Sequence, residues 1–77
     1  MPRKTIHTVF LPNGMWGNKA GGATRAPKHF KTKAEAVAAG RLTALRQGAE
    51  HVIHYADGSI QRANSYGGDP HPPRDAR

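Results

Sequence analysis

Apolar and polar positions alternate from Thr5 to Leu11, so Ile6, Thr8 and Phe10 share one face of an extended segment and His7, Val9 and Leu11 the other. That is the period of a strand. Pro12-Asn13-Gly14 stops the run, and Asn-Gly predicts a type I′ turn with positive φ at both central residues, returning the chain antiparallel over Met15 to Ala20. Trp16 falls on the return strand. Gly21-Gly22-Ala23 marks a bend, and Thr24 to Phe30, broken by Pro27, has the character of an irregular or edge segment rather than a central strand. The period then becomes helical. Thr32-Lys33-Ala34-Glu35 is a capping box, Gly48 stands where a left-handed residue closes helices, and Arg46 suits the negative end of the dipole, so a helix is predicted over about 33–47. A short apolar run from His51 to Tyr55, the turn signal Asp57-Gly58 and renewed alternation from Ile60 to Tyr66 predict a second hairpin.

The expected fold is therefore α+β. It is a β-hairpin, a single helix and a second β-hairpin (ββαββ), with the helix packed on a small antiparallel sheet in one domain over residues 1–66. Residues 67–77 are too rich in Gly and Pro for either element and are expected to form a flexible tail. Strand order stays open, because turn signals do not say whether two hairpins share one sheet. The helix offers two faces to bury. One arc collects Ala34, Val37, Ala38, Leu42 and Leu45; the other collects Ala36, Val37, Gly40 and Ala44 and would leave both leucines outside. The first arc is preferred, since so small a core has need of its leucines.

Composition narrows the field of functions. The absence of cysteine removes disulfides and thiolate zinc sites together. The chain carries no apolar run of membrane-spanning length and no signal-peptide core near Met1-Pro2-Arg3-Lys4, so a cytoplasmic protein is expected. Twelve Lys and Arg against five Asp and Glu give a formal charge of +7, a field that attracts polyanions, nucleic acid first among them.

Residues 25–33 hold the densest charge: Arg25, Lys28, Lys31 and Lys33 with no acid among them, ending at a helix N-terminus whose free N–H groups favour anions. These cations, with Trp16 as a stacking platform, are the candidate phosphate-backbone site for DNA or RNA. The plainer expectation for Phe10, Trp16, Phe30 and Tyr55 is the core. The alternative is a protein-interaction or homodimerisation module. It would use an exposed helix face at Leu42 and Leu45, a sheet edge, or the tail, where Tyr66 docks the chain and Pro70 and Pro73 frame a PxxP segment.

Nothing in the pattern is catalytic. Glu35 is occupied as a cap, and Glu50, Asp57, Asp69 and Asp75 have no evident acid–base partner. His51 and His54, three apart in a strand, point to opposite faces, and His7 and His29 have no ligand spacing. No enzyme, metal or cofactor is expected.

Pro12-Asn13-Gly14 with Trp16, Thr32-Lys33-Ala34-Glu35-Ala36, Gly48, Val52-Ile53-His54, Asp57-Gly58, Ile60 and Asn64-Ser65-Tyr66-Gly67 followed by Asp69-Pro70 and Pro72-Pro73 run in an order that resembles the bacterial domain of unknown function 2188 family. The Asn-Ser-Tyr-Gly and Asp-Pro-x-Pro-Pro pieces are the more specific. The resemblance implies a small bacterial protein and brings no activity with it.

Overall fold

The computed structural model describes residues 4–21 and 28–66. Five strands and one helix follow one another as β1 (Thr5–Phe10), β2 (Trp16–Ala20), β3 (Lys28–Phe30), α1 (Lys33–Gln47), β4 (Glu50–His54) and β5 (Ile60–Ser65). They form a single sheet in the order β3-β2-β1-β4-β5. The α+β class is as expected, but the ββαββ outline gains a third strand, because Lys28–Phe30 pairs with β2 at one edge of the sheet. The sheet is also mixed rather than antiparallel: β1 and β4, neighbours in its middle, run parallel with Ile6 opposite His51. The expected tail at 67–77, with Pro70 and Pro73, and the cation Arg25 lie outside the described residues. Among the described residues no helix is long and apolar enough to cross a membrane.

The two hairpins are closed in the same way, and not by a type I′ turn. Gly14 N–H donates to the Leu11 carbonyl, Leu11 N–H to the Met15 carbonyl and Met15 N–H to Asn13 Oδ1. Tyr55, Asp57, Gly58 and Ser59 repeat this bond for bond. Each loop thus has three residues and ends in a left-handed glycine, at φ 85° for Gly14 and 94° for Gly58. In the first, a two-residue type I′ loop over Asn13-Gly14 would make Pro12 the closing partner of Met15 and require an N–H that proline lacks, so Leu11 N–H takes that role instead.

The helix ends are the predicted ones. Thr32 is extended, its hydroxyl accepts the Glu35 N–H, and Gly48 closes the helix in the left-handed region at φ 62° while Ala49 N–H donates to the Ala44 carbonyl at 2.9 Å. The buried face is not the preferred one. Ala36, Gly40 and Ala44 face the sheet, whereas Leu42 and Leu45 are 60% and 48% exposed. The reason lies on the strands. Beneath Gly40 stand Asn18 and His51, and a Cβ there would come within 2.5 Å of Asn18 Oδ1 and 2.7 Å of His51 Nε2. Small residues one turn apart let the helix lie close enough to meet this polar layer, which a leucine stripe would lift away and leave without partners.

The core is correspondingly modest: Ile6, Ala36, Ala44, Ala49, Val52 and Ile53 are buried, with Thr8 and His51 among them. Among the described residues no aromatic ring of Phe, Trp or Tyr is fully buried, against expectation. Phe10 and Tyr55 are exposed and Trp16 and Phe30 half-buried, so the rings collect at one end of the sheet rather than inside. Tyr66 does pack against Ile6, Ala44 and Ala49, its N–H bonded to the Ala49 carbonyl.

Candidate functional site

Between α1 and the β2–β3 edge runs a groove of about 370 Å³. Its apolar walls come from Ile6, Phe30, Ala39 and Leu42, and Lys19, Lys28 and Arg46 line it with no carboxylate beside them. A second, more open hollow continues it along the seam of β3 and α1, sharing Phe30, Ala39 and Leu42 and adding His29 and Lys31 on one side and Glu35 on the other. Leu42 is thus central to one continuous surface. Leu45 is exposed on the helix but lines neither hollow.

The residues expected to grip phosphate are distributed unevenly. Lys28 and Lys31 are exposed at the groove. Lys33, by contrast, is engaged: its Nζ lies 5.1 Å from the centre of the Trp16 ring and 5.2 Å from that of Tyr55, and donates to Gln61 Oε1. Trp16 meets Phe10 edge to face at 5.2 Å. A cation between two rings neutralises the π faces that a base would stack on, and the rings in turn occupy the cation. The helix N-terminus, Lys33 and Trp16 therefore form a clasp between α1, β2 and the β4–β5 turn.

Two imidazole clusters were not visible in the sequence. Under the helix, Thr8 Oγ1 lies 2.5 Å from Asn18 Oδ1 and 2.7 Å from His51 Nε2, and Asn18 Nδ2 donates to the Ala36 carbonyl at 2.8 Å. Since the one hydroxyl proton goes to Asn18 Oδ1, Thr8 accepts from His51 Nε2–H. Burial first, and then the nearby charge of His7, hold the His51 pKa below its ordinary value. On the opposite, uncovered face, His7 Nδ1 stands 2.9 Å from His54 Nε2, with Thr5 Oγ1 3.2 Å from His7 Nε2 and the Gly58 carbonyl 2.9 Å from His54 Nδ1. The His7 pKa is lowered by burial first, then by His54 and Lys19, with Glu50 opposing. His51 and His54 do point to opposite faces, as their spacing requires. Each found its partner on β1, a neighbour by parallel pairing that no local spacing announces.

Comparison with known proteins adds an origin without a function. A family model described as an uncharacterized protein conserved in bacteria (DUF2188) matches residues 6–66. The uncharacterized protein YdaT of Bacillus subtilis (strain 168) is 43% identical over 59 residues, covering 77% of this chain. The alignment takes in only 39% of that relative's own length. No solved structure matches.

Proposed function

The chain belongs to the DUF2188 family of proteins conserved in bacteria, and from that footing we propose that it is a small, non-enzymatic binding module whose α1–β3 groove takes an extended, acidic and apolar segment of a protein partner. The observation that carries this is the groove's make-up: Leu42, Phe30 and Ala39 supply an apolar wall, and Lys19, Lys28 and Arg46 a cationic rim free of carboxylates. Among the described residues β3 is a sheet edge, so an added strand would find backbone partners there while alternate side chains enter the groove. Apolar contact sets the affinity of such a complex, and the rim sets its preference for acidic sequences.

A second reading keeps the same cations. Lys28, Lys31, Lys19 and Arg46 converge on one side of the molecule, and a phosphate backbone of DNA or RNA would satisfy them without base contacts. Self-association through the groove would be a third outcome, read by sedimentation.

One experiment separates them. Random peptides displayed on phage are selected on the immobilised chain, and the winners are measured by fluorescence anisotropy beside mixed-sequence DNA and RNA from 50 to 300 mM salt. Peptides that pair apolar residues with Asp or Glu, bind with slight salt dependence and weaken by more than about tenfold in Leu42→Asp are expected. Steep salt dependence for nucleic acid, lost in a Lys19, Lys28 and Lys31 triple alanine variant and unmoved by Leu42→Asp, would replace this reading with the second.

A further inference from the structure

We propose that β5 is a self-pairing edge: two copies of this chain join β5 to β5, antiparallel about a two-fold axis, in a weak dimer with one continuous ten-stranded sheet. The proposal is independent of the groove reading and leaves both grooves uncovered. Among the described residues β5 ends the sheet on the side away from β3. The helix packs on the other four strands and reaches β5 only where Lys33 meets Gln61. All but one of the six β5 residues are therefore exposed, Ile60 to 63%. Such an edge is a template for another strand unless proline, charge or a bulge blunts it. β5 has no proline, and its one charge is Arg62. Its register shift against β4 falls at the turn end, by Ile53 and His54, and Arg62 to Ser65 pair regularly with Ile53 to Glu50.

The backbone says which residue stands at the centre. Tyr66 N–H donates inward, to the Ala49 carbonyl. Inward and outward residues alternate along an antiparallel strand, so Ala63 turns its N–H and C=O to the free edge. A two-fold axis perpendicular to the sheet keeps every side chain on its own face, so the central residue pairs with its own copy. Centred on Ala63, the pairing exchanges two hydrogen bonds between small residues. It also sets Arg62 against Asn64 of the second copy instead of against another Arg62.

Charge selects the second copy as occupant and this edge as the place. Residues 1–48 hold nine Lys and Arg against Glu35 alone, a net +8, whereas residues 49–66, with Glu50, Asp57 and Arg62, carry −1. The chain therefore repels its own copy everywhere except at the β4–β5 hairpin. Joining two β3 edges would crowd Lys28 and Lys31 of both copies together. Joining two β5 edges sends those cations to the far ends of a sheet whose strands lie about 4.8 Å apart, leaving the two β3 strands roughly 43 Å from each other. That is several Debye lengths of about 8 Å at physiological salt. One strand pairing is small beside the roughly 1,600 Å² of a standard interface, so the dimer is weak and reversible.

The test is sedimentation velocity of the full chain, without an affinity tag, from about 10 to about 1,000 µM, a range that spans weak interfaces, at 50 and 300 mM salt. The mass should climb toward that of a dimer with concentration, and further at the higher salt, which screens the net repulsion and spares the backbone bonds. Ala63→Pro removes an N–H that makes no bond to β4, and Ala63→Lys sets two like charges opposite each other. Each should raise the dissociation constant by more than about tenfold, with circular dichroism unchanged, while Leu42→Asp in the groove leaves it as it was. In the wild-type chain, amide exchange at Ala63 should slow as concentration rises, which decides the matter should both Ala63 variants fail to fold. A single-copy mass at every concentration, a dimer that survives either folded Ala63 variant, or one lost in Leu42→Asp would overturn the assignment.

Discussion

The two faces of the sheet carry the same chemical pair, a threonine hydroxyl against the Nε2 of a histidine, under opposite conditions. On the covered face Thr8 meets His51 at 2.7 Å, both essentially buried, and Asn18 ties them to the helix backbone. On the uncovered face Thr5 meets His7 at 3.2 Å, both half-buried and open to solvent on one side. Covered polar groups must find protein partners because water cannot replace them, so the first set is closed and directional. The second also pairs its ring nitrogens, His7 with His54 and Thr5 and His54 with the Gly58 carbonyl, but with water able to reach the same atoms. The lesson is that a polar cluster under a helix constrains the fold, whereas the same groups in the open can exchange a protein partner for water at small cost.

The sharpest way to break this contrast is Thr8→Val, which keeps shape and strand propensity but removes the hydroxyl. His51 Nε2–H would then be buried without a partner, at about 1–3 kcal/mol, and the half-buried Asn18 Oδ1 would lose the same partner at a smaller cost. A loss of roughly 2–4 kcal/mol is expected from urea unfolding, large against the total stability of so small a domain. A loss below about 1 kcal/mol would mean that water reaches the cluster.

How far the sequence discloses this arrangement depends on whether the signal is local. The turns at Asn13-Gly14 and Asp57-Gly58, the Thr32 cap and the Gly48 stop were all legible, since each is decided by residues within one turn of it. The turn type was misjudged where Pro12 outweighs the Asn-Gly pair. The helix face went the other way because its cause, Asn18 and His51 beneath Gly40, sits on two strands far apart in the chain. One local signal did exist: Ala36, Gly40 and Ala44 repeat every four residues, a stripe that makes sense only if something must come close. His7 and His54 are 47 residues apart, and only the parallel register of β1 and β4 joins them. The groove was half legible, Lys28, Lys31 and Leu42 being named by sequence and Lys19 and Arg46 added by folding.

Acid sharpens the contrast next. Folding lowers the pKa of both His7 and His51 below 6.5, so between that value and the lowered ones the unfolded chain binds more protons than the folded one. Stability therefore rises with pH in that window: it is complete above about pH 6.5 and is lost as pH falls through it toward the folded values. The expected result is a urea midpoint that falls steadily from about pH 7 to about pH 5. The Asp57 carboxyl, held below its usual range by Ser59, adds its own loss only in stronger acid. In His7→Gln a residual slope belongs to His51, and a flat profile there would place the whole effect on the open face.

The smallest expected effect is the counterpart of the first. Thr5→Val removes the hydroxyl from His7 Nε2, but here water can take its place, and the bond it replaces is the longer of the two. The expected loss is under about 1 kcal/mol, the range of an ordinary hydrogen bond exchanged with solvent, measured against Thr8→Val in the same urea series. The His7–His54 bond should survive, seen in imidazole spectra as an unchanged His54 tautomer, because that tautomer is fixed by the Gly58 carbonyl and not by Thr5. Equal losses for the two valine variants would show that the uncovered face is as closed to water as the covered one, and the difference between the two clusters would then be one of position alone.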